Sequence, residues 1–214
     1  MKKYEMIIFD VDGTICDTVD IVYESINTIL KNKGIDRKVK LKDIKMSQGL
    51  NRVNFAERCM SFLDKELREK VLAEADELKY ERINESSLNV YPNVKETIKE
   101  LSKKYLISIA SNCGYGYIET ILPKIEIKDY VDDYIAASAL NISKADAIKE
   151  IMKRNNVKKA IYVGDTLLDK KSSLEANTVF IFAEYGFGNI SDVKYKIKSF
   201  NELPKIINKI ENET

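Results

Sequence analysis

The sequence predicts an α/β fold, a doubly wound parallel sheet carrying an inserted α-helical bundle. Three observations predict it. Five short apolar runs punctuate the chain, at residues 6–9, 106–110, 134–137, 160–163 and 179–183, without the regular polar alternation of a half-exposed strand. Apolar stripes at helical spacing lie between or after these runs. The spacing is uneven: about ninety residues separate Gly13 from Leu106, where a βαβ unit needs about thirty, so roughly sixty are surplus.

Taken in order, Met6, Ile7, Ile8 and Phe9 form the first buried strand, and Gly13 lets the chain turn sharply after it. The surplus region, about 17–88, contains no proline and only two glycines, Gly34 and Gly49. Its stripes, Val22, Ile26, Ile29 and Leu30, then Leu67, Val71, Ala75 and Leu78, have the pattern of a small helical bundle. Residues 16–18 and 88–91 are the hinges expected on either side. Beyond them, Val94, Ile98 and Leu101 mark a helix, followed by the strands at 106–110 and 134–137. Ile148, Ile151 and Met152 mark a further helix before the strands at 160–163 and 179–183, and Leu203, Ile206, Ile207 and Ile210 mark the last one. The expected organisation is a Rossmann-like core, 1–16 with 89–214, and a helical cap domain, 17–88. Ligands of such sheets bind at the carboxyl ends of the strands.

Composition removes several classes of function. The 214 residues are 44% hydrophobic and 32% charged, yet the net charge is only +1, with no basic stripe to suit nucleic acid. Cys16, Cys59 and Cys113 form no pair at metal-ligand spacing, which points to a reduced, cytoplasmic protein. The first apolar strand begins too early for a signal peptide, and no apolar run approaches the ~18 residues of a membrane span. The sequence carries no signal for an oligomeric state. Histidine is absent, so acid–base chemistry falls to Asp, Glu, Lys, Tyr or Cys.

Three strand ends and one helix start carry polar residues suited to chemistry. Asp10 and Asp12 sit two apart where the first strand ends, a spacing that puts both on one side of an extended chain. Like charges so close need neutralising, and a divalent cation with oxygen ligands does this; an Asp-Gly turn is the plainer alternative. Asp165 follows the strand at 160–163, with Asp169 one helical turn further on. These residues suit either helix capping or a shared cation with Asp10 and Asp12. Ser111 and Asn112, beside Gly114 and Gly116, suit either phosphoryl oxygens or an ordinary strand-to-helix turn. Lys144 follows Ser143, a natural N-cap, so its charge opposes the helix dipole; such a broken local rule marks function unless the lysine is simply solvated.

Together these sites resemble the four motifs of the haloacid dehalogenase superfamily, in its phosphatase branch. Asp10-Val11-Asp12-Gly13-Thr14 resembles the first motif, Ser111-Asn112 the second, Lys144 the third, and Gly164-Asp165 with Asp169 the fourth, in the family's order. Phosphoglycolate phosphatase-like proteins with a helical cap are the nearest general match. The resemblance implies a phosphomonoesterase for a small phosphorylated metabolite. It implies Asp10 as nucleophile, Asp12 as acid and base, and Lys144 as charge stabiliser. It further implies Ser111 and Asn112 as phosphate ligands, with Asp169 supporting Lys144 or a metal-bound water. Magnesium would be held by Asp10, the Asp12 carbonyl and Asp165. Gly49-Leu50-Asn51-Arg52 is similar to the cap loop of β-phosphoglucomutase, which implies that Arg52 grips a second anionic group; a solvated arginine opening a helix is the alternative. Tyr185 is placed at the pocket rim, and Cys113, Tyr115 and Tyr117 receive no role. A phosphomutase shares the architecture, but Gly164 matches the phosphatases better. A phospho-acceptor or binding module of the response-regulator type would be shorter and lack the insertion.

Overall fold

A computed structural model describes residues 3–213. Residues 1 and 2 of the expected core, and its last residue, 214, lie outside the described residues. The chain runs β1 (Met6–Phe9), β2 (Cys16–Asp17), α1 (Val19–Asn32), α2 (Leu41–Lys45), α3 (Arg52–Cys59), α4 (Lys65–Glu85), β3 (Asn89–Val90), α5 (Val94–Leu101) and β4 (Leu106–Ser111). It continues through α6 (Tyr117–Lys124), β5 (Asp133–Ala136), α7 (Lys144–Arg154), β6 (Ala160–Gly164), α8 (Leu167–Glu175), β7 (Val179–Ala183), β8 (Lys196–Ile197) and α9 (Leu203–Glu213).

Six strands form one parallel sheet in the order β5-β4-β1-β6-β7-β8. Central β1 pairs on both edges, Phe9 opposite Ile109 on one side and Val163 on the other. Its four residues are buried because both faces are covered. Successive side chains alternate between two cores, as the period of a strand demands. Ile7, Phe9, Ile107, Ile109, Ile161 and Val163 join the apolar faces of α5, α6 and α9. Met6, Ile8, Ala110, Ala160 and Tyr162 join α7 on the other face. The sequence reverses direction across the sheet at β1, from β4 on one side to β6 on the other, so the crevice at its carboxyl end is the natural ligand site.

The strand expected at 134–137 starts one residue earlier, at Asp133, whose carboxylate binds Arg154 and so fixes α7 against this edge strand. The expected strands at 106–110 and 160–163 each run one residue further, so Ser111 and Gly164 end strands instead of following them. The two-residue strand β8 was not expected, because two residues carry no periodicity.

The surplus region is helical. Helices α1–α4 pack around Ile26, Leu30, Ile44, Met60, Val71 and Ala75, a core of their own. The long α4 starts where the Asp64 carboxylate accepts the N–H of Leu67. The two expected hinges pair with each other as an antiparallel ribbon, Cys16 opposite Val90 and Asp17 opposite Asn89. This ribbon brings the chain back to the sheet beside its point of exit, and places the helices above the carboxyl end of β1. Among the described residues no helix is long and apolar enough to cross a membrane.

Candidate functional site

Three carboxylates meet below the carboxyl end of β1. Asp10 leaves β1, its N–H donating to the Val163 carbonyl at 3.0 Å. Asp165 leaves β6, and Asp169 lies in the first turn of α8. One oxygen from each lies within 4.8 Å of the others, and all three residues are buried. Lys144 opposes them. Its Nζ lies 2.5 Å from Asp169 Oδ1 and 3.1 Å from Asp10 Oδ2. The helix start explains how: the Ser143 hydroxyl accepts the Asp146 N–H, and this cap aims the first residue of α7 inward. Lys144 is 3% exposed, which rules out the solvated alternative.

Each carboxylate has its own environment. Burial pushes Asp10 up to about 6, with Lys144 pulling it down and Asp169 pushing it up. Burial, with Asp169 and Asp10 adding repulsion, holds Asp165 well above the usual range. Burial acts on Asp169 too, but Lys144 and the Thr166 donors outweigh it and hold it below the usual range. Burial works against the charge of Lys144, and Asp10 and Asp169 overcome it and raise its proton affinity.

The group suits a hard divalent cation. Asp10 Oδ1 is buried with no hydrogen-bond partner among the described residues. Asp165 sits in a fitted cradle: a Cβ on Gly13, whose φ is +81°, would come 2.2 Å from Asp165 Oδ2, and one on Gly186 would come 2.3 Å from Asp165 Cβ. Its oxygens accept from the Phe187 N–H at 2.7 Å and, more weakly, from the Thr14 hydroxyl at 3.3 Å. Both oxygens of Asp169 are already engaged, Oδ1 by Lys144 and Oδ2 by the Thr166 N–H and hydroxyl. Asp10 and Asp165 are therefore the residues best able to hold a cation, with Asp169 fixing Lys144.

The Asp12 carboxylate is not in this cluster. The expected convergence of the Asp10, Asp12 and Asp165 carboxylates is thus corrected to Asp10, Asp165 and Asp169. The reason is local: the chain turns at Val11, whose carbonyl accepts the N–H of Ile15 at 2.8 Å, so Asp10 and Asp12 are not successive outward residues of one straight strand. Asp12 Oδ1 accepts from the Thr18 hydroxyl at 2.5 Å and the Tyr117 hydroxyl at 2.7 Å. Burial raises its proton affinity, while those two donors and the nearby Lys79 lower it.

Between sheet and helices lies a cavity of about 110 Å³. Asp10, Asp12, Ser111, Asn112 and Lys144 line its floor, and Arg52, Asp76 and Lys79 line its wall on the helical side. Val22, Ile26, Phe55 and Leu72 form an apolar end. Arg52 is not a free cation: its Nη1 binds Asp76, which also holds Lys79 Nζ at 2.7 Å. Burial pulls Lys79 down to about 8 despite its attraction to Asp12.

Asn112 lines the cavity as expected of a phosphate ligand and has a structural bond as well. Its side-chain amide donates to the Gly49 carbonyl at 2.7 Å, joining the end of β4 to the loop before α3. Gly49 has a φ of +79°, and a Cβ there would meet the Thr166 hydroxyl at 2.9 Å, so the loop seats closely on the floor. Tyr185 is absent from the cavity lining; its hydroxyl donates to the Thr14 carbonyl at 2.7 Å and its ring packs on Tyr91, bracing the loop that follows Asp12. Thr18, Asp76, Lys79 and Tyr117 escaped the sequence reading. Lys79 and Asp76 sit three apart on α4, a helix so dense in charge that its pattern does not mark which charges turn inward.

Known proteins are similar to this chain over most of its length. A phosphoglycolate phosphatase from Nitrosococcus oceani is 23% identical over 203 residues, covering 91% of this chain and 90% of its own. A solved structure from Haemophilus somnus, named as a predicted phosphoglycolate phosphatase, superposes with a TM-score of 0.85 at 20% identity over 96% of this chain and 99% of its own. A haloacid dehalogenase-like hydrolase from Streptococcus pneumoniae gives 0.78 at 20% identity, over 96% and 99%. The model of the haloacid dehalogenase-like hydrolase family matches residues 7–183. With the match running from β1 through β7 and so across every carboxylate of the site, this chain belongs to the haloacid dehalogenase-like hydrolase family.

Proposed function

We propose that the protein is a magnesium-dependent phosphomonoester hydrolase for a small phosphorylated metabolite, working through an aspartyl-phosphate on Asp10. One observation carries this reading. Two carboxylates two residues apart occupy opposite environments, Asp10 in an ionic cluster with Lys144 and Asp12 held by two hydroxyls. A carboxylate set beside a cation suits the nucleophile, and a carboxyl held by hydroxyl donors suits the proton carrier.

In the first half-reaction the Asp10 carboxylate bonds to phosphorus as the bond to the leaving oxygen breaks, and Asp12 gives that oxygen its proton. In the second, Asp12 takes a proton from the water that attacks phosphorus, and Asp10 is released. Lys144 offsets the repulsion between carboxylate and phosphate dianion. The Ser111 hydroxyl, on the cavity floor, donates to a phosphoryl oxygen. Magnesium, held by Asp10, Asp165 and the Asp12 carbonyl, would supply further charge neutralisation. Helices α1–α4, within residues 17–88, act as a cap that excludes water while closed. Asn112 joins cap loop to floor through Gly49 in that state.

Phosphoglycolate is the first candidate substrate, on the names of relatives such as that of Nitrosococcus oceani. The reading is tested by phosphate release from a panel of phosphoglycolate, sugar phosphates, nucleotides and p-nitrophenyl phosphate, with magnesium and with chelator. Many turnovers per enzyme, dependent on the metal, are expected on at least one member. Asp12→Ala should lower kcat/KM on that substrate by about 10²–10⁴-fold. A single round of labelling at Asp10 that then stops would sink the hydrolase reading.

Arg52 and Lys79 keep N–H donors beyond those that Asp76 occupies, and both residues line the cavity, where these donors would meet the part of a substrate beyond its phosphate. Arg52→Ala should therefore raise KM about tenfold for phosphoglycolate, the cost of one charge-assisted hydrogen bond, and less than about twofold for p-nitrophenyl phosphate. Equal losses on both substrates would place Arg52 in the structure of the cap loop instead.

A further inference from the structure

We infer that Tyr117 is a positioning residue for Asp12, fixing its carboxyl so that the proton exchanged with substrate and water rides on Oδ2. The inference rests on the assignment of Asp12 as acid and base. Tyr117 opens α6 directly after Gly116, whose φ of +83° turns the chain so that the ring enters the core. The residue is 2% exposed, packed with Ile118 and Ile121 under the site. Its hydroxyl is nevertheless directed at a carboxylate: it donates to Asp12 Oδ1 at 2.7 Å, and Thr18 donates to the same oxygen at 2.5 Å.

Proton accounting gives this convergence a consequence. The two hydroxyls also lie 3.0 Å from each other, so whichever way their hydrogens are shared, at least one is given to Oδ1. Oδ1 is thereby engaged by its two neighbours, whereas Oδ2 takes part in no hydrogen bond with them. Oδ2 is then the oxygen left to exchange a proton with substrate and water. In the first half-reaction the proton passes from Oδ2 to the departing oxygen as the bond from that oxygen to phosphorus breaks. In the second, a water proton returns to Oδ2 as the water oxygen bonds to phosphorus and the Asp10–phosphorus bond breaks. Oδ1 stays held by Tyr117 and Thr18 through both, so the carboxyl need not rotate.

Tyr117 also meets the helical insertion. Lys79 Nζ lies 4.6 Å from the centre of its ring, so the wall of the cavity rests on the residue that holds the acid. A purely structural tyrosine would need neither the convergence on Oδ1 nor this contact.

The test exploits leaving groups. Departure of p-nitrophenolate needs little protonation, whereas departure of an alkoxide depends on it, and kcat/KM reports the step in which the leaving group departs. Tyr117→Phe keeps the ring and removes only the donor. It should lower kcat/KM about tenfold for the best alkyl phosphate of the panel, and less than about twofold for p-nitrophenyl phosphate. Thr18→Val should act in the same direction, and Asp12→Ala should show a larger version of the same discrimination. If Asp12→Ala discriminates and Tyr117→Phe lowers both substrates equally, or neither, the inference fails and the assignment of Asp12 stands. Equal losses on both substrates in Asp12→Ala overturn both. A lower melting temperature in Tyr117→Phe accompanied by equal losses would show a structural role and overturn the inference as well.

Discussion

Asp10→Asn is expected to abolish turnover, by about 10³-fold or more, and to make the metal-free protein more stable at neutral pH. The loss of activity follows from removing the proposed nucleophile. The gain in stability follows from the cluster, where Asp10, Asp165 and Asp169 face one another around Lys144. Native Asp10 keeps its proton up to about pH 6, whereas an unfolded Asp releases it near 3.8. Between those values the native state binds more protons, so stability falls as pH rises through them. Above pH 6 the whole cost of ionising Asp10 is present, about 3 kcal/mol on a rise from 3.8 to about 6. An amide of the same shape escapes that cost. With chelator present, urea or thermal unfolding at pH 7.5 should favour Asp10→Asn by about 2–3 kcal/mol, and the advantage should vanish near pH 4. Magnesium should reverse the order, because the wild type binds it better and gains more from mass action. An Asp10→Asn protein less stable than the wild type at pH 7.5 in chelator would show that Lys144 needs Asp10 more than the cluster suffers from it.

How much of this was legible in the sequence depended on whether a residue obeys a local rule. Met6 to Phe9 and the other central strands are short apolar runs because they are covered on both faces, so pattern alone found them. Asp10 and Asp165 were legible because a carboxylate at the end of a buried strand has no packing reason to be there. Lys144 was legible because a cation in the first turn of a helix contradicts the dipole. Tyr117 was not, since a buried aromatic at a helical position is what any core contains, and only its hydroxyl sets it apart. Lys79 and Asp76 were hidden for the opposite reason. Helix α4 is dense in charge, and which charges turn inward is decided by the packing of α1 and α6 against it. Asn112 was placed correctly at the end of β4, but its bond to Gly49 depends on a loop sixty-three residues distant, a pairing that no local pattern encodes.

Lys144→Met should be the most destabilising change at the site. It leaves three buried carboxylates without the cation that lies 2.5 Å from one and 3.1 Å from another. Removing one partner of a buried ion pair typically costs 3–5 kcal/mol, because the remaining charge is left without compensation, and a similar loss is expected here. Asp10 and Asp169 raise the proton affinity of Lys144 above its usual 10.5, so its contribution is complete at neutral pH and fades only in alkali. Turnover should fall with stability, but the two losses separate on adding Asp10→Asn. If electrostatics within the cluster set the cost, Lys144→Met with Asp10→Asn should be more stable than Lys144→Met alone, with a coupling of about 1–3 kcal/mol in a double-mutant cycle. A cost due to the volume or packing of the lysine stem would leave the cycle additive. The comparison also bears on why the site is built this way. A methionine fills the same space without charge, so in a protein selected for stability alone the carboxylates and Lys144 would all be replaced together. On the proposed mechanism, keeping them means accepting a weaker fold in exchange for a nucleophile held beside a cation, the arrangement that suits transfer of a phosphoryl group to a carboxylate.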